Sequence, residues 1–309
     1  LDSCESLAKL GLERSREGEL RLARAHILLS LSAVDAARGR LESAAEGMRE
    51  AEQLFSQLLR KKKQGTVLCN LAEVMIWQGS WWKSLDLCKR SMTLSNEAMN
   101  RAGMADACMV QAMAYHDLGM EKESLDVLNR GLRISRMLSR SSNLIVARIL
   151  LAKIALSKAE YEVADAHLLD GIRIATTSDP EHYMTALQTL QAHALSGRGK
   201  PRAAKQILAE LSTQMEDLAC PKKVQAQLYA ADAWHHIGDI GRANSLAGEA
   251  YELSMERGMW GWTLQALAQQ VWYGGGEELR DELEMRLDQL SMELPERFHE
   301  PMRRRYGLS

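Results

Sequence analysis

Four side chains in the second half of the sequence, His193, Asp232, His235 and His236, are of the kinds that bind metals or change charge near neutral pH. Their spacing follows no ligand pattern such as HxxxH or HExxH, so no metal is expected. They read either as a pH-sensing group or as plain hydrogen-bonding residues. Five cysteines (Cys4, Cys69, Cys88, Cys108, Cys220) lie far apart and form no CxxC pair. That argues against a disulfide framework and against zinc, and it suits a reducing cytoplasm. The sequence also lacks GxxxxGK[ST] and GxSxG. No catalytic residue and no cofactor is expected, and the chain reads as a non-enzyme.

Other side chains suit contact with a macromolecule. Ile76, Trp77, Met109 and Met113 could form an apolar spot where methionine adapts to peptide side chains, although methionines at helical spacing are equally ordinary core. Trp77 is the one expected to be exposed. Trp260, Trp262, Trp272 and Tyr273 form an aromatic-rich stretch that could join two copies of the chain. The basic run Arg60–Lys63 reads as a solvated helix C-terminus. Arg303, Arg304 and Arg305 read as a solvated basic end.

What must hold these residues is helix. The 309 residues are 46% hydrophobic and 26% charged, rich in Ala, Leu, Met, Arg and Glu, with five prolines and two phenylalanines. A formal charge of -2 gives no global case for nucleic acid or membrane binding. The longest apolar stretch, Asn143–Leu156, is interrupted by Arg148 and Lys153 and is too short to span a bilayer.

The helices recur. From Gly39, steps of forty reach Gly79, Gly119, Ala159 and Gly199, and one of thirty-nine reaches Gly238. Seven residues before these anchors stand Ser32, Ala72, Ala112, Ala152, Ala192 and Ala231. Five after come Ala44, Ser84, Ser124, Ala164, Ala204 and Ala243. Twelve after come Ala51, Ser91, Gly131, Gly171, Leu211 and Ala250, small except at Leu211. Nine after, the residue is apolar: Met48, Cys88, Leu128, Leu168, Leu208, Ala247. Each period therefore predicts two amphipathic helices, a glycine turn between them, and small side chains where backbones approach. Pro180 and Pro221 fall where later first helices should begin.

These columns resemble the tetratricopeptide repeat, with its small residue in the first helix, glycine in the turn and alanines in the second helix. The aromatic two residues after the turn is kept at Trp81 and Tyr161 but replaced by Leu41, Glu121, Pro201 and Ile240 elsewhere. The period exceeds the family's usual length, as in the MalT-type helical sensor arms of bacterial signalling proteins. HEAT repeats share the period but not the small-residue columns. The resemblance implies an all-α, right-handed α-solenoid whose first helices line a concave groove. On that groove it would place Glu73, Ile76, Trp77, Met109, Met113, His116, Asp117, Lys153, His193, Asp232, His235 and His236. These vary in size and charge, as a recognition face should. Asn70 and Lys153 are the only matches to the chaperone-tail clamp of some members, so that role is not expected.

The expected organisation is one solenoid over 1–294. It comprises a partial repeat at 1–18, full repeats near 20–62, 65–100, 103–140, 142–178, 180–219 and 221–257, and a degenerate capping repeat at 258–294. Residues 295–309 would be a basic tail, a linker, or a helix lying on the cap. The opening half-repeat suggests a segment cut from a larger protein. The expected function is binding a protein or peptide, as scaffold or sensor arm of a larger cytoplasmic signalling or transcription regulator. The alternatives are a small-molecule effector domain and a self-assembly module.

Overall fold

Three hydrogen-bonded residues after each of the first seven helices explain how a forty-residue beat becomes structure. In the computed structural model, which describes residues 5–6, 10–12, 20–178 and 180–308, α1 (Arg21–Ala37) ends as Gly39 N–H donates to Ala36 O (3.0 Å) and Arg40 N–H to Asp35 O (2.9 Å). This is the Schellman arrangement, and it needs a left-handed residue, supplied by Gly39 at φ 75°. The next helix, α2 (Leu41–Gln57), ends in the same way: Leu59 N–H donates to Ser56 O (3.0 Å) and Arg60 N–H to Phe55 O (2.8 Å). Here the left-handed residue is Leu59, at φ 55°. Two helices of 17 residues, each followed by a three-residue turn, account for the period.

The pattern continues through α3 (Lys61–Trp77) with α4 (Trp81–Glu97), α5 (Arg101–Asp117) with α6 (Glu121–Met137), and α7 (Ser141–Ser157) with α8 (Tyr161–Ser178). Then come α9 (Pro180–Gly197) with α10 (Pro201–Glu216), α11 (Cys220–Ile237) with α12 (Ile240–Glu256), and α13 (Trp260–Trp272) with α14 (Glu277–Ser291). A 3₁₀ turn (Glu296–Phe298) leads into α15 (His299–Arg305). Pro180, Pro201 and Pro221 all lie in the first turn of a helix, where a missing N–H costs little. The described residues contain no strand and no helix long and apolar enough to cross a membrane.

Each helix from α1 to α14 packs on its sequence neighbours. The small columns lie at these joints: Ala72, Ala112, Ala152, Ala192 and Ala231 are fully buried, as are Ala44, Ser84, Ser124, Ala164, Ala204 and Ala243. Close approach is visible where Ser91 Oγ donates to Gly65 O (2.7 Å) and Ser124 Oγ to Ala112 O (2.8 Å). A longer side chain would hold these backbones apart. The all-α helical-repeat solenoid read from the sequence is the architecture of the chain.

The array also winds back on itself. Ile76, Trp81, Val110 and Leu118 of the second and third pairs share one apolar core with Leu264, Leu283, Phe298 and Tyr306. Leu28, Phe55 and Val67 share another with Val224, Leu228 and Met259. Residues 295–308 are therefore neither a free tail nor an open linker: Phe298, Met302, Tyr306 and Leu308 are all buried.

The basic run Arg60–Lys63 opens α3 instead of closing a helix, because the turn at Leu59 ends α2 earlier. Its charges oppose the positive end of the helix dipole, and Lys61 is offset by an ion pair with Glu97 (3.0 Å). The expected partial repeat at 1–18 falls largely outside the described residues. Within it, Glu5 accepts ion pairs from Arg38 and Arg40.

Candidate functional site

The first helices α3, α5, α7, α9 and α11 carry the varied columns, and the winding decides what each residue meets. On α3 and α5 the face is covered. Ile76 and Met109 are buried in apolar cores, and Met113 is half-buried between two of them. Trp77, expected to be exposed, is half-buried, its ring 5.7 Å from that of Trp262. The backbones are close because residue 261 is glycine: a Cβ there would sit 2.9 Å from the Ile76 carbonyl oxygen. Glu73 is half-buried, and burial raises its carboxyl above the usual range.

Further along, His116 accepts a hydrogen bond at Nε2 from Arg305 of α15 (3.1 Å). Burial, then the charges of Arg305 and Lys153, hold its pKa well below the ordinary value, so it is the neutral ring that accepts. Beside it, burial and then Asp117 raise the Tyr306 phenol. Lys153 places its ammonium 5.7 Å from the centre of the Tyr229 ring.

The second-half residues do gather. His193 of α9 lies 4.6 Å, ring centre to ring centre, from His236 of α11, and Tyr161 meets His236 edge-on at 5.7 Å. His235 stacks on Tyr273 (4.6 Å, 20°) and lies 5.3 Å from Trp272. Tyr273 donates from Oη to Asp232 Oδ1 (2.6 Å). Burial lowers His193 to about 4; burial, then the His193 and His235 charges, bring His236 to about 4. Burial raises Asp232, and burial with the Asp232 charge raises the Tyr273 phenol. No group of three metal-ligating side chains forms among the described residues. Both histidines are neutral at neutral pH, in an aromatic setting suited to stacking and hydrogen bonding.

Of the aromatic stretch offered for self-association, Trp262 and Tyr273 face inward onto Trp77 and Asp232. Trp260 is at the surface with Arg286 at 5.6 Å from its ring, and Trp272 is 62% exposed. Sequence reasoning missed Tyr229 and Arg305. The triple-arginine end divides its work: Arg303 pairs with Asp288, Arg304 with Glu300, and Arg305 turns inward. No local signal marks that choice, since His116 lies 189 residues away.

No protein-family model matches the chain, and no curated protein matches it in sequence. Solved structures do match in fold. A Rap protein complexed with Competence and Sporulation Factor superposes with a TM-score of 0.63 at 12% identity, over 91% of this chain and 80% of that one. A signal transduction ATPase with numerous domains and a tetratricopeptide repeat sensor, from Pyrococcus horikoshii, gives 0.51 at 12% identity over 93% of this chain and 45% of that one. The chain thus spans under half the length of that second protein. By its fold, this chain is a tetratricopeptide-like helical-repeat solenoid.

Proposed function

We propose that the chain is a protein- or peptide-binding sensor arm of a larger cytoplasmic signalling or transcription regulator. Its recognition surface would be the inner face of α7, α9 and α11 with the edge of α13. One observation carries this reading. The inner face of α3 and α5 is packed against the chain's own C-terminal helices, whereas Trp272 stands 62% exposed beside His235 and His236. An exposed tryptophan braced on a polar aromatic group has the makings of an interface anchor. The solved proteins that share the fold, one in complex with Competence and Sporulation Factor and one with a repeat sensor, lend the role support. In the mechanism, a partner segment stacks on Trp272 while Lys153, Asp232 and the histidines orient its polar groups.

The test is to select binding peptides from a random display library and measure their affinity for the wild-type chain and for Trp272→Ala. Affinity should fall by about 2 kcal/mol; peptides that bind both chains equally would dismiss this surface.

A second reading, a small-molecule effector held inside the superhelix, is favoured by the winding that brings the last helices against the first three pairs. A thermal-shift screen of metabolites supports it if one compound raises the melting temperature while Trp272→Ala leaves peptide binding unchanged.

A further inference from the structure

Phe298, Met302 and Tyr306 stand at i, i+4 and i+8, a stripe down one side of the 3₁₀ turn and α15, and Leu308 extends it. They are 0%, 0%, 9% and 2% exposed, and share one apolar core with Ile76, Trp81, Leu85, Val110, Ala114 and Leu118 of the early helices and with Leu264, Leu283 and Leu287 of α13 and α14. A polar contact fixes the register: Arg305, seven residues after Phe298, donates to His116. Gly119 admits the backbone, because a Cβ there would lie 2.2 Å from the Pro301 carbonyl oxygen. The opposite side of the segment is charged, with Arg304 paired to Glu300 and exposed. A seven-residue helix is too short to persist alone, so this one takes its helicity from the face on which it rests.

We propose that the α3–α5 face is a receptor for a short amphipathic helix. Its occupant is residues 295–308 of the same chain, and a helix of the same pattern, Phe-x3-Met-x3-Tyr with arginine just before the tyrosine, competes for the seat. The proposal rests on reading the first-helix side of the solenoid as a recognition surface, but at a place distinct from Trp272. The segment is tethered to α14 by the short stretch Met292–Pro295 and by the surface ion pair of Arg303 with Asp288, so it can leave the face while the helix pairs stay stacked. The side chains that seat it also define what a competitor must carry: three apolar anchors one turn apart and a cation aimed at His116.

The experiment uses the full chain and a fluorescein-labelled peptide of residues 295–309. Met302→Asp in the chain weakens the resident segment, so the peptide should bind this variant at least ten times more tightly than wild type. A peptide carrying Tyr306→Asp should not bind. Adding Trp272→Ala to the variant should leave peptide binding unchanged, which separates this seat from the surface of the proposed function. A folded Met302→Asp chain that does not bind the peptide, or that binds the Tyr306→Asp peptide equally well, overturns the proposal. If Met302→Asp does not fold, hydrogen exchange on the wild-type chain decides. Amides of 299–308 exchanging at least tenfold faster than those of α5 support a detachable segment; equal rates overturn it. A wild-type dimer that trades this segment between copies, seen by light scattering, overturns its assignment to a single chain.

Discussion

His193 shows how one buried ring sets a pH limit on the molecule. It is 6% exposed, and neither ring nitrogen has a hydrogen-bond partner among the described residues. His236 faces it from α11 and Tyr161 from α8, and His235 and Asp232 of α11 with Trp272 and Tyr273 at the end of α13 extend the group. The folded pKa values of His193 and His236 lie near 4, below the ordinary 6.5, so the unfolded chain binds protons that the folded chain refuses. Their contribution is complete above pH 6.5 and is lost as pH falls from there to about 4. Asp232, raised by burial, acts in the opposite sense within the carboxylate range. Full realisation at His193 amounts to about 3 kcal/mol. The melting temperature should therefore fall steadily between pH 6.5 and pH 4 and fall less in His193→Gln; matching pH profiles for the two chains would refute this. The histidines were legible as a group because the forty-residue period places them near the ends of adjacent first helices. Arg305 was not, because its partner is set by winding rather than by neighbours in sequence.

At the level of the element, the glycine beat exposed only half of the turns. Gly39, Gly79, Gly119, Gly199 and Gly238 close the first helix of five pairs and Ala159 (φ 57°) that of another, whereas Leu59, Met99 and Ser139 hold the same left-handed backbone after the second helix of the first three pairs. Those residue types leave no turn signature, so the helix lengths were readable but one set of boundaries was not. The strain is removable. Met99 is 90% exposed, so Met99→Gly loses no packing and should raise stability by about 0.5–1 kcal/mol, measured by urea denaturation. Loss of stability would mean that the Met99 side chain has a packing role. Similarly, Lys62→Glu replaces an exposed cation in the first turn of α3 with a charge that suits the dipole. An increase of about 0.3–1 kcal/mol is expected in low salt, shrinking as salt is added.

For the whole molecule, the two apolar cores that join early and late helices change how it should unfold. An open repeat array frays pair by pair, since each unit touches only its neighbours. Here Val110 and Met302, or Leu28 and Val224, share a core although nearly two hundred residues separate them. Chemical unfolding should thus be a single transition, with α3 and α13 losing hydrogen-exchange protection together; separate transitions for the two halves would contradict it. Gly119→Ala adds a strained φ of 73° to a clash with the Pro301 carbonyl, and should cost more than the about 1 kcal/mol of a turn glycine alone. The same closure limits how such a sequence can change over time. Solenoids with free ends gain or lose whole units with little penalty, because every joint is alike. In this chain, removing one forty-residue unit would leave every joint intact and still carry α13–α15 away from the turns at Gly79 and Gly119 that receive them. The number of repeats is therefore as constrained as any buried side chain.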